Sequence, residues 1–326
     1  MDIGIGGPAR PSTCWGVHVR ALPFIQTSVF IDERYAFSGN QLATFWDHML
    51  NTRLSTEEMQ GITLEMQHSE TTFVFESTRS DCASKVRIFT PGREIPFAGH
   101  PTLGTAFVLR YKRLISPVDR RVRLELGIGP IPVDFVADDT IRMDQGMPKF
   151  TKTWDDTQSI AEALGLKDSD ISTAYPIQYV STGFPFLIVP LRSLSAVRRA
   201  APNPTLILET LNGQASQEIV IFSDETVHPD SHVHVRMFAP GAGVPEDPAT
   251  GSAAGPLGAY LVEHRVLANL RPEQAIVIEQ GHEMRRPSRL EVVITGDKST
   301  HEAYVTGKVR LIAEGKLYVR DSADKA

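Results

Sequence analysis

The chain has 326 residues, of which 41% are hydrophobic and 22% are charged, and its formal net charge at pH 7 is −6. This composition is typical of a globular protein, and a chain of this length favours two domains over one. The negative charge and the lack of a basic run argue against nucleic acid or an anionic membrane as partner. No apolar run reaches the roughly 18 residues that a membrane-spanning helix requires.

The chain contains two cysteines, Cys14 and Cys82. They could form one disulfide, but they do not make a disulfide scaffold, and no Cys-x-x-Cys pair indicates a structural zinc site. Residues 1–20 are rich in glycine and proline, show no periodicity and are expected to form an extension. Because they lack a charged segment followed by an apolar one, we expect no signal peptide and a cytosolic location.

A strand is predicted to begin near Phe24, and the next segment, SGNQLATFWDHML, is predicted to be a turn that leads into a short helix. Ser55 and Glu58 have the spacing of a capping box, which predicts the start of a helix that ends near Gln67. The β-branched and aromatic run TTFVFES then predicts a strand. Glu70 therefore lies at a helix-to-strand junction, where its side chain can point into a cleft.

The remaining elements indicate an α+β fold. Strands are predicted in VRLELGIG, IPVDFVA and TIRMDQG, a domain boundary near Met147–Lys152, and a helix in DTQSIAEALGL. Later strands are predicted in IQYVSTGFPFLIVPL, EIVIFS and VHVRMFAP, and, after a helix near 252–266, in AIVIEQG, RLEVVIT and AYVTGKVRLIA. This order favours antiparallel strands with few helices over alternating β-α-β units.

One segment of the sequence occurs twice. Residues 87–106 read RIFTPGREIPFAGHPTLGTA, and residues 236–253 read RMFAPGAGVPEDPATGSA. Five residues are identical at a shift of 236 − 87 = 149, and after a two-residue deletion GTA meets GSA at a shift of 251 − 104 = 147. At that second shift His100 falls on Asp247. In each copy a strand should lead through a Gly/Pro turn into a helix.

The two repeated helix starts suggest a shared site. Small residues let a helix N-terminus approach a ligand closely, and its free N–H groups and dipole favour a carboxylate. Two such helices, related by a pseudo-twofold axis, would direct their N-termini into one cleft. A duplicated core without chemistry would also explain the matching strands and helices. It would not explain His100 and Asp247 at equivalent turn positions, so we favour a shared site.

Several motifs of the sequence together resemble one family. In chain order they are SGN at 38–40, SETTFV at 69–74, the first repeated segment, MDQ at 143–145, STGFP at 181–185, EDPATGSAAGPL at 246–257 and EQGHEMRRPS at 279–288. Over residues 24–315 the chain is similar to the PhzF family, which is named for phenazine biosynthesis. The resemblance implies the diaminopimelate-epimerase-like fold, in which two pseudo-symmetric domains each wrap antiparallel strands around a central helix. We expect these domains at 21–147 and 148–326, with a C-terminal strand able to return to the first.

The resemblance also implies roles for individual residues. By similarity, Glu70 of the SETTF motif is the general acid/base, and His100 and Asp247 assist it. The family is commonly homodimeric and needs neither a metal nor an organic cofactor, so we expect none here.

The same resemblance places a substrate carboxylate against Ser252 and the backbone of Gly99 and Gly251. Asn40 and Gln145 could also line the cleft. Ser252 could instead face the helix interior. Gln41 stands where the family usually has proline. This difference bears on the shape of the substrate rather than on proton transfer.

The residues themselves favour a carboxylate mechanism. In epimerases of this fold two cysteines act as base and acid, whereas the cysteines of this chain lie outside the repeated turns. One carboxyl can move a proton between two carbons if it reaches both and has a pKa near the working pH. Burial and the charge of Asp247 would raise the pKa of Glu70 in this way. We expect an isomerase of a small anionic substrate, such as trans-2,3-dihydro-3-hydroxyanthranilate; the alternatives are an amino-acid epimerase and a non-catalytic ligand-binding protein.

Each of these side chains also has a structural interpretation. Alone, Glu70 could be a surface residue after a helix, His100 a turn histidine bonded to the backbone, and Asp247 a helix N-cap. His232 and His234 could bind a metal from one strand face, although such a pair is more often a partly exposed strand face. The surrounding motifs favour the functional interpretation for Glu70, His100 and Asp247.

Overall fold

The computed structural model of the protein describes residues 19–46, 54–271, 273–296 and 301–320. Cys14 and nearly all of the expected N-terminal extension lie outside the described residues. The first strand begins at Val19, earlier than the predicted start near Phe24.

In the first half of the chain, the described residues form strands β1 to β8 and two helices. The strands are β1 (Val19–Val29), β2 (Asn40–Trp46), β3 (Glu70–Phe75), β4 (Ser84–Phe89), β5 (Glu94–Ile95), β6 (Arg121–Leu126), β7 (Gly129–Phe135) and β8 (Thr140–Asp144), and the helices are α1 (Thr56–Met66) and α2 (Gly99–Tyr111). The capping box is confirmed, since Ser55 and Glu58 bond each other's backbone N–H at the start of α1. Gln67 terminates α1 in the left-handed conformation, as the predicted helix end requires.

The sequence predicted a turn followed by a short helix after residue 37, and the prediction of the helix is wrong. Residues 40–46 form strand β2, which pairs antiparallel with β1 and parallel with β3. The side chains of Leu42, Ala43 and Phe45 are fully buried. Burial between two neighbouring strands therefore determines the conformation of this short segment, and the sequence pattern alone does not reveal those neighbours.

The described part of the second half contains strands β9 to β17 and four helices. The strands are β9 (Lys149–Trp154), β10 (Ile177–Ser181), β11 (Pro185–Pro190), β12 (Ile219–Ser223), β13 (Val233–Ala239), β14 (Val244–Asp247), β15 (Ile276–Gln280), β16 (Ser288–Thr295) and β17 (Glu302–Arg320), and the helices are α3 (Thr157–Ala163), α4 (Leu194–Arg199), α5 (Pro204–Thr210) and α6 (Gly251–Glu263). The short helices α4 and α5 were not predicted from the sequence. The expected domain boundary near Met147–Lys152 coincides with the start of β9 and stays a prediction.

The strand pairings of the two halves repeat in the same order and sense. In the first half β1, β2, β3, β4, β6, β7 and β8 are joined by antiparallel, parallel, antiparallel, parallel, antiparallel and antiparallel pairings. In the second half β10, β11, β12, β13, β15, β16 and β17 follow the same sequence of pairings. The repeat seen in the sequence is thus a repeat of the whole strand arrangement, as the predicted pseudo-symmetric α+β fold requires.

Strand β17 connects the two halves. Its first part pairs with β16 of the second half and with β8 of the first, and its later part runs antiparallel to β1. The pairings of β17 with β8 and β1 close the first half into a ring of strands. The C-terminal strand therefore returns to the first half, as the sequence analysis allowed.

Helices α2 and α6 are the buried helices around which the strands lie. Almost every residue of α2 from Gly99 to Leu109, and of α6 from Gly251 to Leu261, is buried. One hydrophobic cluster includes side chains of both helices and continues through both halves. Across the described parts of the chain, none of the helices combines the length and apolar character that crossing a membrane would demand.

Candidate active site

A cavity of about 290 Å³ is lined by residues from both halves of the chain. The first half contributes Glu70 and the hairpin between β4 and β5, and the second half contributes Asp247, Thr250 and Ser252. The cavity therefore lies where the two repeated segments face each other, and it includes three of the residues that the sequence singled out.

The N-termini of α2 and α6 are in direct backbone contact beside this cavity. A Cβ added to Gly99 would lie 2.4 Å from the carbonyl carbon of Gly251, so the helices can meet only through glycine. Within the described residues, the N-cap positions Ala98 and Thr250 provide no side-chain cap hydrogen bond. Two adjacent helix starts with free backbone N–H groups suit the binding of a carboxylate.

Glu70 is the first residue of β3 and faces His100, the second residue of α2. Its Oε2 lies 3.4 Å from Nε2 of His100. Both atoms are buried, and neither forms a hydrogen bond with any described residue. Burial raises the pKa of Glu70 well above its usual value, and the nearby charge of Asp247 adds to this rise. The raised pKa keeps the protonated carboxyl available at higher pH than in an ordinary glutamate, which suits a group that must both take up and release a proton.

His100 is held as a neutral imidazole. Its side chain is 2% exposed, and burial lowers its pKa to about 3. Nδ1 of His100 lies 3.0 Å from Nδ2 of Asn40. Nδ2 of Asn40 also donates to Oδ1 of Asp247 at 2.8 Å and to the backbone oxygen of Ala249 at 3.0 Å, so its two hydrogens serve three neighbours.

Asp247 is the last residue of β14, and each of its two carboxylate oxygens accepts a hydrogen bond. Its Oδ1 accepts from Nδ2 of Asn40 at 2.8 Å, and its Oδ2 accepts from Oγ1 of Thr250 at 2.6 Å. Burial raises the pKa of Asp247 to about 6, although hydrogen bonds from Thr250, Ser69 and Asn40 act in the opposite direction. Asn40 therefore bonds the key residues of both halves, instead of lining the cavity as expected.

Three further side chains support the site and were not assigned a supporting role from the sequence. Gln280 donates through Nε2 to the backbone oxygen of Asp247 at 2.7 Å, and Gln145 donates to the backbone oxygen of Gly251 at 2.8 Å. Arg286 holds the backbone before Asn40 by bonds to the carbonyls of residues 38 and 39. Gln145 belongs to the MDQ motif and the other two to the EQGHEMRRPS motif, so those motifs contained the signal.

The described cysteine, Cys82, lies in the turn between β3 and β4. The cavity lining, as far as the chain is described, includes no cysteine. Burial raises the pKa of the Cys82 thiol, and the charge of Asp81 adds to this effect. A thiol with a raised pKa is a poor nucleophile or base at neutral pH.

The pair of histidines near β13 does not have the arrangement of a metal site. His232 precedes the strand, and its Nδ1 accepts from the backbone N–H of Val277 at 2.9 Å. His234 is fully buried, with Nδ1 2.7 Å from Oε1 of Glu279 and Nε2 3.1 Å from Oε1 of Glu283. His234 is thus held between two carboxylates and is not part of an exposed strand face.

A group of side chains outside the cavity lining could hold a metal ion. Ligand atoms of His228, Glu279 and His282 lie within 4.8 Å of one another. Imidazole and carboxylate groups together suit zinc and similar transition metals. Since these residues do not line the cavity, the chemistry of Glu70 does not depend on them.

Comparisons with known proteins identify a family, related sequences and a related structure. A family model described as "Phenazine biosynthesis-like protein" matches residues 28–315. An uncharacterized isomerase of Clostridium acetobutylicum is 31% identical over 92% of this chain and 99% of its own length. The trans-2,3-dihydro-3-hydroxyanthranilate isomerase of Pseudomonas aeruginosa is 36% identical over 86% of this chain and 94% of its own length. The crystal structure of a Bacillus anthracis phenazine biosynthesis protein of the PhzF family superposes with a TM-score of 0.79, at 28% identity, over 91% of this chain and 99% of that chain.

Proposed function

The chain belongs to the phenazine biosynthesis-like PhzF family and is an isomerase, and we propose that it moves a proton between two carbons of a small carboxylic acid without a cofactor. One observation carries this proposal: the buried Oε2 of Glu70 lies in the cavity region with no hydrogen-bond partner among the described residues. An unpaired buried carboxyl oxygen costs free energy unless a ligand contacts it.

Glu70 acts as both the base and the acid in this mechanism. As a carboxylate it removes a proton from one carbon of the substrate, and as a carboxylic acid it returns a proton to another carbon on the same face. Its raised pKa favours the second step, because the carboxyl holds its proton at higher pH than an ordinary glutamate does. The neutral ring of His100, 3.4 Å from Glu70, can donate a hydrogen bond to the carboxylate or to the substrate.

The substrate carboxylate binds at the paired helix N-termini. Gly99 and Gly251 begin the two helices, and Ser252 lines the cavity beside them. Backbone N–H groups at these positions would also stabilise negative charge that builds up when the carbon loses its proton. Asp247 lines the same cavity, and its charge adds to the rise in the pKa of Glu70.

We propose trans-2,3-dihydro-3-hydroxyanthranilate or a closely similar acid as the substrate. The support is the 36% identical relative from Pseudomonas aeruginosa, whose name states that activity. The expected homodimeric state, cytosolic location and lack of a nucleic-acid partner stay predictions.

The test is turnover of trans-2,3-dihydro-3-hydroxyanthranilate in D2O, followed by NMR. The Glu70→Gln variant should lose roughly 100- to 10,000-fold in kcat, the usual contribution of a general acid/base. Glu76→Gln is the matched control, because Glu76 is exposed just beyond the other end of β3. If Glu70→Gln turned over substrate at the rate of the unchanged protein, Glu70 would not be the acid/base.

An amino-acid epimerase is disfavoured by the same geometry. Such an enzyme usually inverts one centre with two opposed acid/base groups. His100, which lies 3.4 Å from Glu70, is buried and neutral and does not supply the second group. A product with the same bonds as the substrate but inverted chirality at one carbon would support the epimerase. A shifted double bond in the product would support the isomerase.

A further inference from the structure

Glu218 occupies in the second half the position that Glu70 occupies in the first. Phe89 and Phe238 are equivalent residues of the repeated segments. Phe89 pairs across β4 and β3 with the residue that follows Glu70, and Phe238 pairs across β13 and β12 with the residue that follows Glu218. Glu70 begins β3 and Glu218 directly precedes β12, so both glutamates have the same register relative to equivalent strands. Glu70 and Glu218 lie outside the two repeated segments, so the comparison of those segments did not reveal that the two glutamates are equivalent.

Both glutamates line the same cavity, in different surroundings. Glu218 is 6% exposed, and its cavity neighbours include the apolar side chains of Phe184, Phe186 and Met237. Its Oε2 accepts one hydrogen bond, from the backbone N–H of Gln217 at 2.9 Å. Burial raises the pKa of Glu218, while the charge of Arg93, which also lines the cavity, acts in the opposite direction.

Different charged groups act on the two carboxyls. The charge of Asp247 adds to the rise in the pKa of Glu70, and the charge of Arg93 opposes the rise in the pKa of Glu218. Glu70, Asp247 and Glu218 line one cavity, and the lining around Glu218 includes apolar side chains.

We propose that Glu218 binds a hydrogen-bond donor of the substrate, an amino or hydroxyl group that lies away from the carbon on which Glu70 acts. This inference rests on the proposed function and narrows its substrate class to small carboxylic acids that carry such a donor. Glu218 is a binding and specificity residue, not the acid/base. A buried acceptor left without a donor disfavours ligands that lack the group.

The test compares the binding of aromatic acids that the enzyme cannot isomerise, measured by titration calorimetry. The probes are 3-hydroxyanthranilate, 3-hydroxybenzoate, which lacks the amino group, anthranilate, which lacks the hydroxyl group, and benzoate, which lacks both. The unchanged protein should bind at least one donor-bearing probe roughly 10- to 100-fold more tightly than benzoate, because an unpaired buried polar group costs that much. Anthranilate and 3-hydroxybenzoate show which donor Glu218 contacts.

In Glu218→Leu this preference should fall to within about threefold, since the acceptor is gone and leucine fits the apolar wall. Glu94→Gln is the control, because Glu94 also lines the cavity but is exposed and bonded to Arg87. Its preference should not change. In turnover assays Glu218→Leu should raise KM for a donor-bearing substrate and leave kcat within a few-fold, unlike Glu70→Gln.

Three results would overturn the inference: no probe binds the unchanged protein, benzoate binds as tightly as the donor-bearing acids, or the preference survives in Glu218→Leu. Failure of the proposed function has a different signature, because the binding preference does not require turnover. If the enzyme isomerised no acid but the preference depended on Glu218, the proton-shift proposal would fail alone.

Discussion

The two copies of the repeated segment contain the same arginine–glutamate pair and the same kind of helix start, but they carry different reactive groups. In the first copy Arg87 makes two hydrogen bonds to Glu94, and in the second copy Arg236 makes two to Glu246. Each guanidinium also lies over the phenylalanine two positions further on, at 5.1 Å and 5.0 Å from the ring centre. Each copy then starts a helix with a glycine.

The reactive residues His100 and Asp247 do not occupy equivalent positions, which corrects the alignment of the two copies drawn from the sequence. His100 is the second residue of α2, where α6 has Ser252. Asp247 pairs with Met237 at the position where Ile95 pairs with Ile88 in the first copy.

Burial lowers the pKa of His100 to about 3 and raises that of Asp247 to about 6. In both groups burial disfavours the charged form, and the shifts have opposite signs because one charged form is a cation and the other an anion. The duplicated backbone therefore determines where the groups meet, and the residue types at these positions determine which of them can carry a proton.

The largest contrast is expected between the two arginines. The side chain of Arg236 is 8% exposed and donates to the carbonyls of Val197 and Ala200 as well as to Glu246. Arg236→Met should lower the free energy of unfolding by about 3–5 kcal/mol, because it leaves the partly buried carboxylate of Glu246 and two backbone carbonyls without this partner. The side chain of Arg87 is 26% exposed and that of Glu94 is 38% exposed. Arg87→Met should therefore lower the free energy of unfolding by less than about 1 kcal/mol.

Chemical denaturation of the two arginine variants measures this difference directly. Equal losses in both would show that burial does not distinguish the copies, and the comparison would fail at this point.

The next contrast concerns pH. The pKa of Asp247 is about 6 in the folded protein against 3.8 ordinarily, so the folded state holds this proton more tightly. Stability from this group is present below about pH 4 and is lost as pH rises towards 6. Asp247→Asn lacks this loss, so its stability relative to the unchanged protein should rise by about 3 kcal/mol over that range.

His100 should behave in the opposite sense. Its pKa falls from 6.5 to about 3 on folding, so it contributes stability above pH 6.5 that is lost as pH falls towards 3. Relative to the unchanged protein, His100→Asn should therefore become less stable as pH rises from about 4 to 6.5. Denaturation at several pH values compares the two variants, and slopes of the same sign would contradict the assigned protonation states.

The smallest contrast lies between the two helix-starting glycines. A Cβ at Gly99 would lie 2.4 Å from backbone atoms of residues 251 and 252, whereas a Cβ at Gly251 would first meet the ring of Phe30 at 2.7 Å. Gly99→Ala should cost about 1–3 kcal/mol and Gly251→Ala less, because a ring can shift more readily than a backbone. Gly61→Ala, in α1 with open space around it, should instead stabilise by about 0.5–1 kcal/mol.

Thermal unfolding of these three alanine variants is the measurement. If Gly99→Ala were as stable as Gly61→Ala, the two helix N-termini would not be in contact.

Some elements could be predicted because their causes are local. The capping box of Ser55 and Glu58 involves residues three positions apart, and the αL conformation of Gln67 ends the same helix. The caps of α4 and α5, Ser193 and Asn203, are equally local. Those helices were missed although the capping residues and Pro204 were visible in the sequence.

Strand β2 could not be predicted in the same way. The strand has seven residues, too few for periodicity to distinguish helix from strand. The parallel pairing with β3 decides between them, and β3 lies beyond the whole of α1 in the chain.

By itself the sequence determined the duplication, the α+β class, the family and the identity of Glu70, His100 and Asp247 as candidates, because these depend on residue types and their order. Only the tertiary structure decided that Asn40 bonds both His100 and Asp247, that Glu218 shares the cavity with Glu70, and that each of these groups is buried. Burial removes water from a titratable group, and which groups lose their water depends on contacts between residues far apart in the chain.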